Sequence, residues 1–181
     1  MRNKLLLLLT TQGTVYFGIA LFAPLYAIYV EQIGGEFITA GLAIAVFSAV
    51  TGTATIFMGR IASFLPHPKY LAVAGWFLLG VGFLGYLLVQ KPIHLFLVQV
   101  LIGLATATYF PPVEAMYSRW ITRERDVFEW SWWDATEYWS GAAGALAGGI
   151  IVTFFGFPAL FVTMATLAFL AAFVLFILLN E

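Results

Sequence analysis

Six apolar runs, each long enough to cross a bilayer, follow one another down this chain with only short polar breaks between them. A helix needs ~20 apolar residues to cross ~30 Å of hydrocarbon. Residues 5–30, 37–58, 70–90, 93–117, 127–155 and 158–179 each supply such a stretch. Composition agrees, because 62% hydrophobic and 9% charged residues leave too little polar surface to cover a soluble domain of 181 residues. The breaks are Gly34-Gly35, Pro66-His67-Pro68, Lys91-Pro92, the basic run from Arg119 to Arg125, and Gly156-Phe157-Pro158. These residue types end helices or suit their first turn. The opening Met-Arg-Asn-Lys and its leucines mimic a signal peptide. The apolar stretch continues to Val30 without a small-x-small cleavage site, so it reads as a retained first span.

Lysine and arginine set the orientation. Arg2, Lys4, Arg60, Lys69, Arg119, Arg123 and Arg125 fall on one side of the six spans, and only Lys91 falls on the other. That bias predicts cytoplasmic N and C termini, in what reads as a prokaryotic cytoplasmic membrane, and gives every copy the same orientation. The third and sixth segments are almost wholly aliphatic and aromatic, which predicts that they face lipid. The others carry the polar, glycine and proline residues.

The fifth segment breaks the apolar pattern. Glu129, Asp134 and Glu137 lie in it among Trp130, Trp132, Trp133 and Trp139. A carboxylate near the bilayer centre costs at least ~2.5–3.5 kcal/mol, so such groups face protein or a water-filled cavity and serve a function. At 100° per residue, Trp130, Trp133, Asp134, Glu137, Gly141, Gly144 and Gly148 share one face, while Trp132 and Trp139 point away. Counted from Arg125 at ~1.5 Å per residue, Asp134 lies ~13 Å and Glu137 ~18 Å deep. Carboxyl groups removed from water can take up a proton near neutral pH, which suits Glu137, helped by Asp134, to proton or substrate binding. Glu129 and Glu114 lie near the cytoplasmic end, where pairing with Arg60, Arg119, Arg123 or Arg125 is the structural alternative. Trp130 and Trp133 beside carboxylates suit a cation or a stacked sugar. Other spans add polar groups: Gln12, Tyr16 and Tyr26 on one face of the first, with Pro24 kinking it, and Gln99, Thr106 and Tyr117 on the fourth, which Pro111-Pro112 should bend.

Several fragments resemble the N-terminal six-helix half of the major facilitator superfamily. They are Gly34 followed by Gly41-Leu42, Gly59-Arg60 at the start of the loop after helix two, and Gly144-Ala145-Leu146-Ala147-Gly148-Gly149 in helix five. Departures accompany them: Ser63 stands where the family's loop aspartate would be, Gln99 where helix four commonly carries arginine, and Ala145 in place of proline. The resemblance implies an all-α membrane protein, six transmembrane helices arranged as 3+3 inverted repeats in one domain spanning residues 1–181. Family members usually have two such halves with substrate between them near the midplane. This length therefore implies a small half-transporter that forms a parallel homodimer and is proton-coupled, moving a small polar or cationic solute by alternating access. Small residues let helices approach closely in lipid, so Gly41, Ala45, Ser48 and Gly52 on the second helix and Gly141, Gly144 and Gly148 on the fifth are the expected dimer-packing residues. The alternative is that these glycines pack helices within one subunit.

Other classes fit less well. No cysteine is present, which excludes thiol chemistry and Cys-based metal sites. His67 and His94 sit in or beside loops on opposite sides, and no metal-ligand spacing appears. No enzyme activity and no cofactor are expected, and no basic cluster points to nucleic acid. The expected partners are a second copy, a small-molecule substrate and the lipid bilayer. Two further readings are a membrane substrate-binding subunit of the vitamin-capture type, and one half of a heteromeric transporter.

Overall fold

A computed structural model describes residues 2–178. Helix α1 (Arg2–Ala20) ends just before Pro24, whose missing N–H cannot continue the ladder. The hydrogen bonds shorten there from four residues to three, with the Phe22 amide on the Ile19 carbonyl and the Leu25 amide on the Phe22 carbonyl. After this single 3-10 turn (Ala23–Leu25), helix α2 (Tyr26–Gln32) completes the first span. Gly34, at φ 80°, closes α2: its amide bonds the Glu31 carbonyl and the Gly35 amide bonds the Val30 carbonyl. This pair of bonds is a helix stop that needs a left-handed residue, hence glycine.

Helix α3 (Phe37–Phe64) begins with a reciprocal cap, in which the Glu36 amide donates to the Thr39 hydroxyl at 3.2 Å. Helix α4 (Lys69–Gly85) follows the Pro66-His67-Pro68 loop, and α5 (Pro92–Trp120) starts on a proline and runs unbroken through Pro111 and Pro112. Helix α6 (Asp126–Leu178) joins the expected fifth and sixth segments. Five helices are therefore long and apolar enough to cross a membrane among the described residues, where the sequence suggested six segments. Gly156 interrupts α6 at φ 78°, ψ 174°, outside any helical geometry.

Contacts along α1 show what that interruption does. Gly13 meets Thr136 and Ser140, Gly144 meets Phe17 and Ala20, and Gly148 meets Leu21, so residues 126–155 run parallel to α1. Beyond Gly156 the order inverts: Phe22 packs on Phe157 and Phe161, and Gly18 on Met164 and Leu167. The chain reverses direction at Gly156. Arg125 consequently lies at the same end as Leu5, Leu6 and Leu9.

The layers differ from the sequence expectation. Helix α4 is not merely a lipid-facing helix: Ala72, Gly75, Trp76, Leu79 and Phe83 on one of its faces are buried against α5 and α6. A side chain at Gly75 would meet Tyr109 Cβ at 2.6 Å, so this glycine sets the close approach of α4 and α5. Residues 157–178 likewise bury Phe161, Met164, Ala168 and Leu175. Helix α3 is the peripheral one, with 6% of its most apolar stretch buried against 44–50% in the other four. Apolar composition fails to predict depth here because lipid and core are equally apolar; small residues at contacts decide which helices pack.

Candidate functional site

The first part of α6 packs its aromatic face into the angle between α1 and α5. Trp133 is 4% exposed. Its ring lies 4.7 Å from Tyr117, 6.0 Å from Trp130 and 6.4 Å from Tyr16, centre to centre. Trp133 is therefore a packing residue, a correction to its expected role as a substrate-stacking surface, because three aromatic neighbours already cover it. Trp130 is half-buried over Tyr117 at 5.0 Å. Trp132 and Trp139 face outward, as the helical period indicates, and pack edge to face on each other at 5.9 Å.

The acids sort by position. The Glu129 carboxylate accepts the Thr122 amide at 3.3 Å, and its backbone carbonyl accepts the Tyr117 hydroxyl. The expected ion pairs do not form: none of Glu114, Glu129, Arg60, Arg119, Arg123 and Arg125 makes an ion pair among the described residues. The turn at Arg123–Arg125 instead offers Glu129 a backbone amide, a nearer donor than a flexible guanidinium. Asp134 and Glu137 are exposed on the surface of the chain. Asp134 lies within electrostatic reach of the Tyr117 hydroxyl.

Around Glu137 a polar group assembles from three helices. Tyr16 on α1 brings its hydroxyl toward both Gln12 and the Glu137 carboxylate, and Tyr109 on α5 faces Glu137 and Thr106. Gln12 is 1% exposed, and neither its amide nitrogen nor its amide oxygen makes a hydrogen bond. The Tyr16–Gln12 approach is close enough to couple the two groups electrostatically but is not aligned as a bond. A buried amide left unpaired costs about 1–3 kcal/mol, so such a group calls for a partner. Sequence reasoning missed Tyr109. The signal was available: it follows Thr106 by three residues, the spacing that shares a helix face.

Not every expected residue joins this group. Gln99 bonds Tyr26 instead, amide nitrogen to hydroxyl at 2.6 Å, and Thr106 lines the same cavity as that pair while touching Tyr109. The small residues divide as well. Gly41 and Gly52 on α3 and Gly141 on α6 have open space where a side chain would be, and Ala45 and Ser48 are exposed. Gly144 and Gly148 are buried against α1, where an added Cβ at Gly144 would stand 2.6 Å from the Phe17 carbonyl oxygen. These two are intrachain packing residues, a correction to their expected place at a dimer surface.

Five helices among the described residues are long and apolar enough to cross a membrane, as in an integral membrane protein. The family model of the Major Facilitator Superfamily matches residues 8–181, and the chain belongs to that superfamily. Members are membrane transporters rather than enzymes, and a chain of this length is consistent with a half-size member. No curated protein matches the chain.

Proposed function

We propose that the chain is a secondary transporter that works by alternating access as a parallel homodimer, with Glu137 carrying a coupling proton or the positive charge of a small polar or cationic solute. The observation that carries this reading is the pair of carboxylates, Asp134 and Glu137, exposed on the surface of one chain at membrane depth. Facing lipid, each would cost at least ~2.5–3.5 kcal/mol. A second six-helix unit enclosing a polar cavity removes that cost. Tyr16 from α1 and Tyr109 from α5 face Glu137, so any proton it binds has two hydroxyl neighbours and no basic side chain to compete.

The packing supports an arrangement in two inverted triplets, and the Lys/Arg bias supports cytoplasmic termini. Helix α3 packs on α5 as residues 126–155 pack on α1, and α4 packs on α5 as residues 157–178 pack on α1. Exchanging each of the first three spans for its counterpart three spans later maps these contacts onto one another. A partner on the side lined by α1, α3, α5 and the start of α6 would cover the exposed acids and the open small-residue face of α3. Rocking of two such units about a shared cavity is the expected motion.

The test is solute uptake into proteoliposomes under an imposed proton gradient, in wild type and Glu137→Gln. The proposal expects the variant to lose gradient-driven uptake while still exchanging solute or binding it. Unchanged gradient dependence in Glu137→Gln removes Glu137 from the coupling role. Native mass of the chain expressed alone separates the homodimer from half of a heteromer.

A further inference from the structure

A cavity of about 290 Å³ opens among the membrane-length helices, with no acid in its lining. The Pro24 break sets Tyr26 at its edge; Phe47 of α3, Phe83 of α4, Ile102 of α5 and Met164 of α6 make most of its wall. No charged residue lines it. Thr106 and Tyr86 also line it, and its paired polar feature is Gln99 with Tyr26 at 2.6 Å. Gln99 is 5% exposed, so its amide has been taken out of water on purpose or at a cost. Tyr26 uses its oxygen to accept from Gln99, and neither its O–H nor the Gln99 carbonyl finds another partner among the described residues. Unlike the sealed amide of Gln12, the Gln99 atoms are not cut off from the cavity. Rotating the Gln99 amide end for end exchanges donor and acceptor but leaves one of each unused.

We infer that this cavity is a separate binding site for a neutral, largely apolar molecule carrying one adjacent donor and acceptor, such as a carboxamide on an aromatic ring. The volume sits at the small end of ligand pockets. The wall supplies apolar burial, and the Gln99–Tyr26 pair supplies a two-bond dock complementary to an amide. Carboxylates and ammonium ions are disfavoured because nothing in the lining neutralises them. The five helices that form the site belong to a single chain, so it is complete without a second copy and independent of the role given to Glu137.

The test is fluorine NMR titration of 4-fluorobenzamide, with fluorobenzene as the hydrocarbon control, into the purified chain in nanodiscs. The expected result is saturable binding of the amide at one per chain, weakened about tenfold by Gln99→Leu and by Tyr26→Phe. It should be unchanged by Glu137→Gln. The double variant Gln99→Leu/Tyr26→Phe, whose wall keeps only Thr106 and Tyr86 as polar residues, should bind fluorobenzene more tightly than wild type does, which shows that it is folded. Equal binding of amide and hydrocarbon in every variant, one amide per two chains, or no saturable binding to wild type overturns the inference.

Discussion

Glu137 carries the coupling in the proposed transport cycle, and its isolation is what makes it informative. It has tyrosines beside it, no lysine or arginine interacting with it among the described residues, and an exposed position. Replacing it with glutamine keeps the shape and removes the charge, so the fold should hold: thermal unfolding in nanodiscs should not fall. Packing glycines behave oppositely. A methyl group at Gly148 would collide with the Leu21 backbone carbonyl, which has no flexible end to move aside. Gly148→Ala should therefore destabilise the chain by about 1–3 kcal/mol, whereas Gly141→Ala, which meets open space, should not. Unfolding midpoints of the two variants check this pair directly. The helical period of residues 126–149 separates Trp132 and Trp139 from the acid face in the sequence itself. It does not separate Trp130 from Trp133, because both lie on that face; only the closure of Tyr16 and Tyr117 around Trp133 makes one a core residue. The same holds for Gly141 against Gly144 and Gly148, one stripe in sequence but split by where α1 lies.

At the scale of elements, two breaks shape the molecule, and both are written in sequence as Gly or Pro. Gly156 holds φ 78° and ψ 174°, a region open essentially to glycine alone and costing other residues about 1–3 kcal/mol. Gly156→Ala should lower stability by that amount, read from the unfolding midpoint. A Glu137→Gln control should show no such loss. Pro24 is the other break. With Pro24→Ala the missing N–H returns and α1 can run on into α2, turning Tyr26 away from Gln99. Affinity for 4-fluorobenzamide should fall as far as in Tyr26→Phe, while the chain remains folded. Segment positions were legible because twenty-residue apolar runs admit few alternatives. Which segments lie central was not. Helix α3 carries the serines, threonines and glycines that suggested an inner helix, yet it is the least buried, and α4, nearly free of polar side chains, is gripped through Gly75 and Trp76. Polarity marks function in a membrane, whereas small size marks contact.

At the scale of the whole molecule, one chain presents two features that lipid satisfies poorly or not at all: exposed carboxylates on α6 and open glycines on α3. Two parallel copies related by a two-fold axis would each cover the other's acids. Gly41→Leu combined with Gly52→Leu fills open space only, so the single chain should keep its stability while the native mass shifts from two copies to one. The absence of cysteine from the sequence permits a more direct measurement. By ~1.5 Å per residue, Gly141 lies ~24 Å from Arg125 and Ala45 ~22 Å from Arg60, at matched depth from the same end. Ala45→Cys and Gly141→Cys chains carrying tags of different size can be mixed in one bilayer and oxidised. A parallel homodimer that packs α3 of one copy on α6 of the other predicts a disulfide-linked product containing one chain of each size. Recovery of unlinked chains alone, under oxidation that links a cysteine pair placed within one chain, contradicts the dimer at the centre of the proposed transport cycle.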